Sequence, residues 1–212
     1  MSVSSLRVLI GCESSGNTRN AFRALGHAAW SCDLLPADDA SPYHYQADVF
    51  DVIAGGAWDL AIFHPPCTYL SSSGMHWTTR GLRDPQLTED ALAFVQRMMD
   101  CGIPAWAVEN PIGCISTRIR KPDQIIQPWQ FGHDASKATC LWLKNLPRLH
   151  HTKIIEPRIV NGKKRWGNQT DGGQNKLPPS ADRWKLRSET YPGISAAMAG
   201  QWGGSLQHGD LA

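Results

Sequence analysis

Along the first half of the chain, short unbroken apolar runs alternate with segments whose apolar positions recur every three or four residues. The runs at 7–12 (RVLIGC), 27–32 (HAAWSC), 45–49 (YQADV), 59–63 (DLAIF) and 105–108 (AWAV) are bounded by Gly, Pro, Asp or Ser and read as strands. Residues 17–25 form an amphipathic helix pattern closed by Gly26. A second begins at Thr88-Glu89-Asp90, carries Ala91, Leu92, Phe94, Val95, Met98 and Met99 at helical spacing, and stops at Gly102. Strands alternating with helices predict an α/β protein. Farther on, 125–129 and 137–143 return to β-like sequence and could pair as a hairpin. Tyr191-Pro192-Gly193 precedes a last helix over 194–202 with small residues toward the sheet. Two stretches follow neither period. Residues 71–85 predict a long polar loop, with Met75, His76 and Trp77 as bulky exceptions, suited to a lid or substrate contact. Residues 161–175, dominated by Gly, Lys, Arg, Asn and Gln, predict a flexible loop open to ordering on binding.

At 212 residues the chain is long enough for one α/β domain with a full core and a small appendage, and short for two. No apolar run is long enough to cross a bilayer, and Met1-Ser2-Val3-Ser4-Ser5 lacks the charged-then-apolar order of a signal peptide. A soluble, cytoplasmic protein is therefore expected. The six cysteines, at 12, 32, 67, 101, 114 and 140, stand singly with no C-x-x-C pair. That spacing argues against a zinc site, so no metal is expected, and it leaves reduced thiols as the default. Net charge is only +2, but the signs are separated: residues 1–110 hold 12 acids and 6 bases, whereas 144–187 hold 11 bases and 3 acids. A basic segment on an acidic body suggests a polyanion held against one face; a solvated basic loop has the same composition. Trp166 and Trp184 interleave with these bases, which suits stacking on nucleotides or anchoring a loop to the body.

Chemistry-bearing residues fall at the carboxyl ends of the predicted strands, where open α/β sheets bind ligands. The first run ends in Gly11-Cys12, followed by Glu13-Ser14-Ser15-Gly16 and a helix N-terminus with free amides. It lacks both the full G-x-G-x-x-G and a Walker lysine, which disfavours a dinucleotide or a nucleotide phosphate. The second run ends at Asp33, placed to accept from a ribose diol or to cap a turn. Asp48 follows at the end of the third. The fourth runs into His64-Pro65-Pro66-Cys67, where two prolines end the ladder and hold a thiol on a stiff turn. A thiol so held suits a nucleophile, although cysteine is also a common small core residue. The fifth delivers Glu109-Asn110-Pro111 to the same edge.

The order Val8-Leu9-Ile10-Gly11 with Gly16, then Asp33, Asp48, His64-Pro65-Pro66-Cys67 and Val108-Glu109-Asn110-Pro111 resembles the cofactor and catalytic motifs of the DNA cytosine-5 methyltransferases, especially the compact versions of bacteriophages and prophages. The resemblance covers the first half of the chain. The second half carries no clear Gln-x-Arg-x-Arg motif, and its recognition region is short. The resemblance implies a Rossmann-like class I methyltransferase sheet with helices on both faces: a catalytic and cofactor-binding domain over 1–143, a short basic recognition segment over 144–190, and a helix over 191–212 that returns to the first part. It further implies S-adenosylmethionine as cofactor, with Cys67 adding to C6 of cytosine and Glu109 binding the N3 and amino edge. By the same likeness Gly11, Cys12, Glu13, Gly16, Asp33, Leu34, Asp48, Val49 and Pro65 would contact the cofactor. Pro66, Ser71, Asn110, Pro111 and Lys137 would contact the substrate, although Lys137 also reads as a plain surface lysine. The implied partner is DNA, through 144–187, in a bacterial or phage-infected cell, and the protein would be a monomer or weak dimer. Three alternatives stay open: the same chemistry on a free nucleotide or RNA, an N4 or N6 amino methyltransferase, and a catalytically idle nucleic-acid-binding protein.

Overall fold

The computed structural model describes residues 5–180 and 183–208. Seven strands form one mixed sheet: β1 (Arg7–Gly11), β2 (Ala28–Asp33), β3 (His44–Gln46), β4 (Leu60–Phe63), β5 (Ala105–Pro111), β6 (Gln124–Ile126) and β7 (Thr139–Lys144). Their order is β3-β2-β1-β4-β5-β7-β6, with only β7 running antiparallel to its neighbours. The order reverses direction at β1 and β4, so the loops beyond those two strands face a shared crevice. The 125–129 and 137–143 runs pair as expected, with Ile125 opposite Cys140.

Side chains of each strand alternate between two cores. Val8, Ile10, Leu60 and Ile62 pack under α1 (Asn17–Ala24) and α7 (Pro192–His208). Leu9, Ala61, Phe63 and Val108 pack against α2 (Val49–Gly55), α4 (Gln86–Met99) and α5 (Ile115–Arg118). Because both faces are covered, the central strands are wholly apolar rather than alternating, as buried parallel strands are. The α/β, Rossmann-like class with helices on both faces is thus borne out.

Local differences have local causes. The 71–85 stretch is not a continuous loop: its start forms α3 (Ser72–Thr79), capped where the Ser71 hydroxyl accepts from Gly74 N–H at 3.3 Å. Ser and Gly are weak helix formers, and no residue of α3 is buried, so no apolar stripe announced it. The 161–175 stretch is likewise ordered. It holds β9 (Lys163–Arg165) of a hairpin with β8 (Arg158–Val160) and a bridge between Gln169 and Asn175. A left-handed Asn161-Gly162 turn closes that hairpin. The short α6 (Arg183–Ser188) leads into α7, which begins at Pro192 and runs past Trp202 to His208. No described helix is long and apolar enough to cross a membrane.

Candidate active site at the β4 and β5 ends

At the end of β4, His64 N–H donates to the Gly11 carbonyl at 2.9 Å, and the two prolines then lift the chain out of the sheet. Pro65 is buried and Pro66 exposed; Cys67 is half-buried and reduced. The turn is clamped from both sides. Leu70 N–H and Ser71 N–H donate to the Cys67 carbonyl, and the Asn110 side-chain amide, on β5, donates to the Pro65 carbonyl at 2.7 Å. Ser72 N–H donates to Ile112, and Cys114 N–H to Leu70 at 2.8 Å. Between them, Gly113 lies so close that a Cβ would sit 1.9 Å from the Leu70 carbonyl oxygen. The turn bearing Cys67 and the turn following Glu109 are therefore one welded unit.

Glu109 is 7% exposed. His64 Nδ1 lies 3.1 Å from its Oε2. Burial pushes the Glu109 carboxyl up, but the His64 bond and the Lys137 charge outweigh it and hold the group below the usual carboxylate range. Cys67 feels the same neighbours from the other side. Burial, then the Glu109 charge, push its thiol up against the downward pull of Lys137 and Arg187. The balance favours the neutral thiol. Lys137 is no plain surface lysine: its ammonium donates to the Glu189 carbonyl at 3.2 Å and its charge reaches both Glu109 and Cys67. His64 Nε2 and Asn110 Oδ1 are buried with no hydrogen-bond partner among the described residues. Pro111 is half-exposed at the lip, and Ser71, 8% exposed, serves as the α3 cap.

The ends of β1, β2 and β3 gather the other expected residues. Cys12 adopts a left-handed φ of 60°, uncommon for a residue with a side chain, and its thiol is pushed up by burial and by the charges of Asp33, Cys32 and Asp48. Asp33 Oδ1 accepts from Leu35 N–H at 2.9 Å, and Asp48 Oδ1 caps α2 through Phe50 N–H at 2.8 Å. Each leaves its Oδ2 without a partner among the described residues. Those two acceptor oxygens, beside a Leu34 that is 73% exposed, suit a ligand rich in hydroxyls and amines. Val49 is buried and crowds Gly11, whose Cβ would meet Phe63 and Val49 at 2.7 and 2.8 Å. The helix N-terminus does not present free amides as expected. The buried Glu13 carboxylate accepts from Thr18 N–H at 2.7 Å and Arg19 N–H at 3.3 Å, and Gly16 takes the left-handed turn (φ 75°) that lets it do so. A carboxylate in that place repels phosphate, in keeping with the missing Walker lysine.

Residues the sequence did not single out complete the group. Thr190 Oγ1 lies 3.4 Å from His64 Nδ1, and its carbonyl accepts from the Asn17 side chain at 3.2 Å. Beside Thr190 opens a cleft of ≈ 560 Å³ whose lining includes Asn17, Asn168, Lys176, Glu189 and Tyr191. Such contacts join positions more than a hundred residues apart, which no local pattern reveals. Trp166 stacks on Trp129 with centroids 5.4 Å apart and planes 16° apart, so it anchors the basic segment rather than standing ready to stack on a ligand. The Trp184 side chain lies outside the described part. Lys163 and Lys164 are exposed, Arg158 pairs with Asp171, and Lys185 with Asp38 at 2.7 Å. Among the described residues no cluster of His, Cys, Asp and Glu could hold a metal ion.

The fold and these strand ends define a Rossmann-like α/β protein with a thiol and a carboxylate at its switch point. No family model and no curated protein matches the chain. Among solved structures it is similar to a methyltransferase of Entamoeba histolytica, EhMeth, at 15% identity and a TM-score of 0.49. The match covers 72% of this chain and 58% of that one, so this chain spans less than two thirds of that protein's length.

Proposed function

We propose that the protein is an S-adenosylmethionine-dependent methyltransferase acting on C5 of cytosine in DNA. One observation carries the reading. A half-buried thiol stands on the turn after β4 and a buried carboxylate near the end of the parallel neighbour β5, and the Asn110–Pro65 hydrogen bond and the Gly113–Leu70 contact clamp the two chain segments together. Cytosine C5 is a weak nucleophile until something adds to C6, and Cys67 as thiolate is suited to that addition. Glu109 binds the N3 and amino edge, where a well-placed group of this kind contributes about 3 kcal/mol. Once the ring engages Glu109, the charge that adds to burial in raising the thiol is offset, which leaves Lys137 and Arg187 to work against burial alone. The half-free carboxylates of Asp33 and Asp48 fit a ribose diol and an adenine edge. When bound there, S-adenosylmethionine supplies an electrophilic methyl group. Exposed Lys163 and Lys164, with Lys176 in the cleft, are suited to phosphates. Such contacts offset the few kcal/mol that extruding a base from duplex DNA costs.

The test is incubation of the purified protein with labelled cofactor and unmethylated DNA, followed by nucleoside mass spectrometry. Recovery of 5-methyldeoxycytidine supports the reading. N4- or N6-methylated nucleosides would make it an amino methyltransferase, and DNA binding with no transfer an idle binder. Cys67→Ser should cut turnover at least about 10³-fold while DNA binding is retained.

A further inference from the structure

The cleft of ≈ 560 Å³ beside Thr190 has room for a nucleoside, and neither Cys67, Glu109 nor Lys137 lines it, so the chemistry at C5 leaves it unused. The partition between the two spaces is thin. Thr190 Oγ1 lies 3.4 Å from His64 Nδ1, the Lys137 ammonium donates to the Glu189 carbonyl at 3.2 Å, and Glu189 and Thr190 both line the cleft. A ligand in the cleft is therefore the immediate neighbour of one held at Glu109. Two kinds of wall meet there. Leu177, Pro178 and Leu186 form an apolar side, Leu186 being 52% exposed and open to a flat ligand laid against it. Asn17 and Asn175 supply polar groups. The Asn17 side-chain amide donates to the Thr190 carbonyl at 3.2 Å, which leaves its Oδ1 as an acceptor without a partner among the described residues. Asn175 Oδ1 accepts from Leu177 N–H at 2.8 Å, which leaves its amide group as a donor without one. Asn168 differs: Ser136 engages both ends of its side chain, so it only shapes the wall.

Every nucleobase carries a donor beside an acceptor on its Watson–Crick edge. In a duplex the partner strand occupies that edge, and a stacked base offers only its groove edges. A recess with one acceptor, one donor and an apolar wall therefore suits a base that has left its pair. Lys176, exposed where it lines the cleft, brings positive charge for the phosphate such a nucleotide carries. We infer that this cleft receives, unpaired, the base next to the target cytosine, so that the preferred substrate is DNA with both positions unpaired rather than continuous duplex. The identity of that neighbour rests on the cytosine-5 reading. In duplex DNA the protein would have to open two pairs instead of one, and each opening weakens binding.

The test uses one DNA sequence in three forms: a continuous duplex, the duplex with the target cytosine alone mispaired, and the duplex with the target and its neighbours on both sides mispaired. Methylation by the wild type is read as kcat/KM for 5-methyldeoxycytidine, and binding as fluorescence anisotropy with the Cys67→Ser protein, which needs no turnover. Mispairing the target removes one opening; mispairing the neighbours as well should add a further gain of at least about 10-fold in both readouts. Leu186→Ala, made in both proteins at a site exposed enough to spare the fold, should shrink that further gain at least about threefold and leave the first gain unchanged. Asn175→Asp, which keeps the acceptor for Leu177 and removes the donor, should shrink it too. Lys176→Gln should instead weaken all three forms alike and lower the salt slope of binding by about one. Product formed with no further gain would overturn the cleft inference and leave the cytosine-5 reading standing. A further gain untouched by both Leu186→Ala and Asn175→Asp would put the unpaired base elsewhere and overturn it equally. No product from any form, with a further gain in binding that Leu186→Ala shrinks, would overturn the cytosine-5 reading and leave the cleft as a site for an unpaired base.

Discussion

The two halves of the sheet's carboxyl edge hold their acids in opposite ways. Beyond β1, β2 and β3, the carboxylates of Glu13, Asp33 and Asp48 accept from backbone amides: Thr18 and Arg19, Leu35, and Phe50. Near the end of β5, Glu109 is held instead by the side chain of His64 and by the Lys137 charge. Acids tied to backbone amides fix the loops that carry those amides. An acid tied to an imidazole and a lysine, facing a thiol, has a charge its neighbours can change. One half of the edge ties its acids to loop backbone, the other ties its acid to side chains that carry charge.

The sharpest way to break this contrast is Glu109→Gln. In the proposed reaction it should lower methyl transfer by about 10³-fold, as loss of one well-placed stabilising group does. It should also remove a charge that raises Cys67, so alkylation of Cys67 by iodoacetamide at pH 7.5, followed by peptide mass spectrometry, should speed up. Slower alkylation would mean the two groups do not share a space. Next in size is Gly113→Ala. A Cβ 1.9 Å from a backbone oxygen forces the Cys67 and Glu109 turns apart, at a cost of about 3 kcal/mol in urea denaturation. Third come the acids of the other half. Glu13→Ala leaves two buried amides at the start of α1 unsatisfied and should cost about 2 kcal/mol, while Asp48→Ala removes the α2 cap for about 1 kcal/mol. Neither should alter the rate at which Cys67 is alkylated; a change there would erase the contrast.

What was legible in the chain follows the same division. Buried strands announce themselves because an apolar run bounded by Gly, Pro or Asp has few other uses, and so β1, β2, β4 and β5 were readable with the residues at their tips. Pro65 and Pro66 also announced where Cys67 would leave the sheet. What a tip residue does once there depends on partners remote in sequence. Nothing local says that Glu13 turns back onto α1, that Glu109 meets His64 across 45 positions, or that Thr190 meets His64 across 126. Lys137 is the instructive case. Its position was noticed, but a lone lysine in a polar stretch is usually solvated, and only the Glu189 carbonyl and the two charges across the cleft distinguish it. In α3, packing was no guide because none of its residues is fully buried; a serine cap and the Ile112 carbonyl hold its first turn.

The smallest expected effect concerns two histidines outside the site that, like the acids of the first half, accept from backbone amides. His133 Nε2 accepts from Gly193 N–H at 2.8 Å at the start of α7, and His27 Nδ1 accepts from Leu6 N–H at 3.3 Å. Burial lowers both rings, so folding favours their neutral forms. On acidification the unfolded chain takes up protons near the ordinary imidazole value of about 6.5, while the folded chain resists until lower pH. Between those points the unfolded state binds more protons, so this stability is present above about pH 6.5 and is lost as pH falls through the lowered values. Asp39 acts in a separate window. Burial raises its carboxyl, but hydrogen bonds from Asn20 and Arg19 outweigh that and lower it, so its contribution fades only below about pH 4. The melting temperature should therefore decline from pH 7 to pH 5. In His133→Gln, whose side-chain oxygen can still accept from Gly193 without titrating, the decline should be shallower. An equal slope in both proteins would remove His133 from the account and leave His27 alone to explain it.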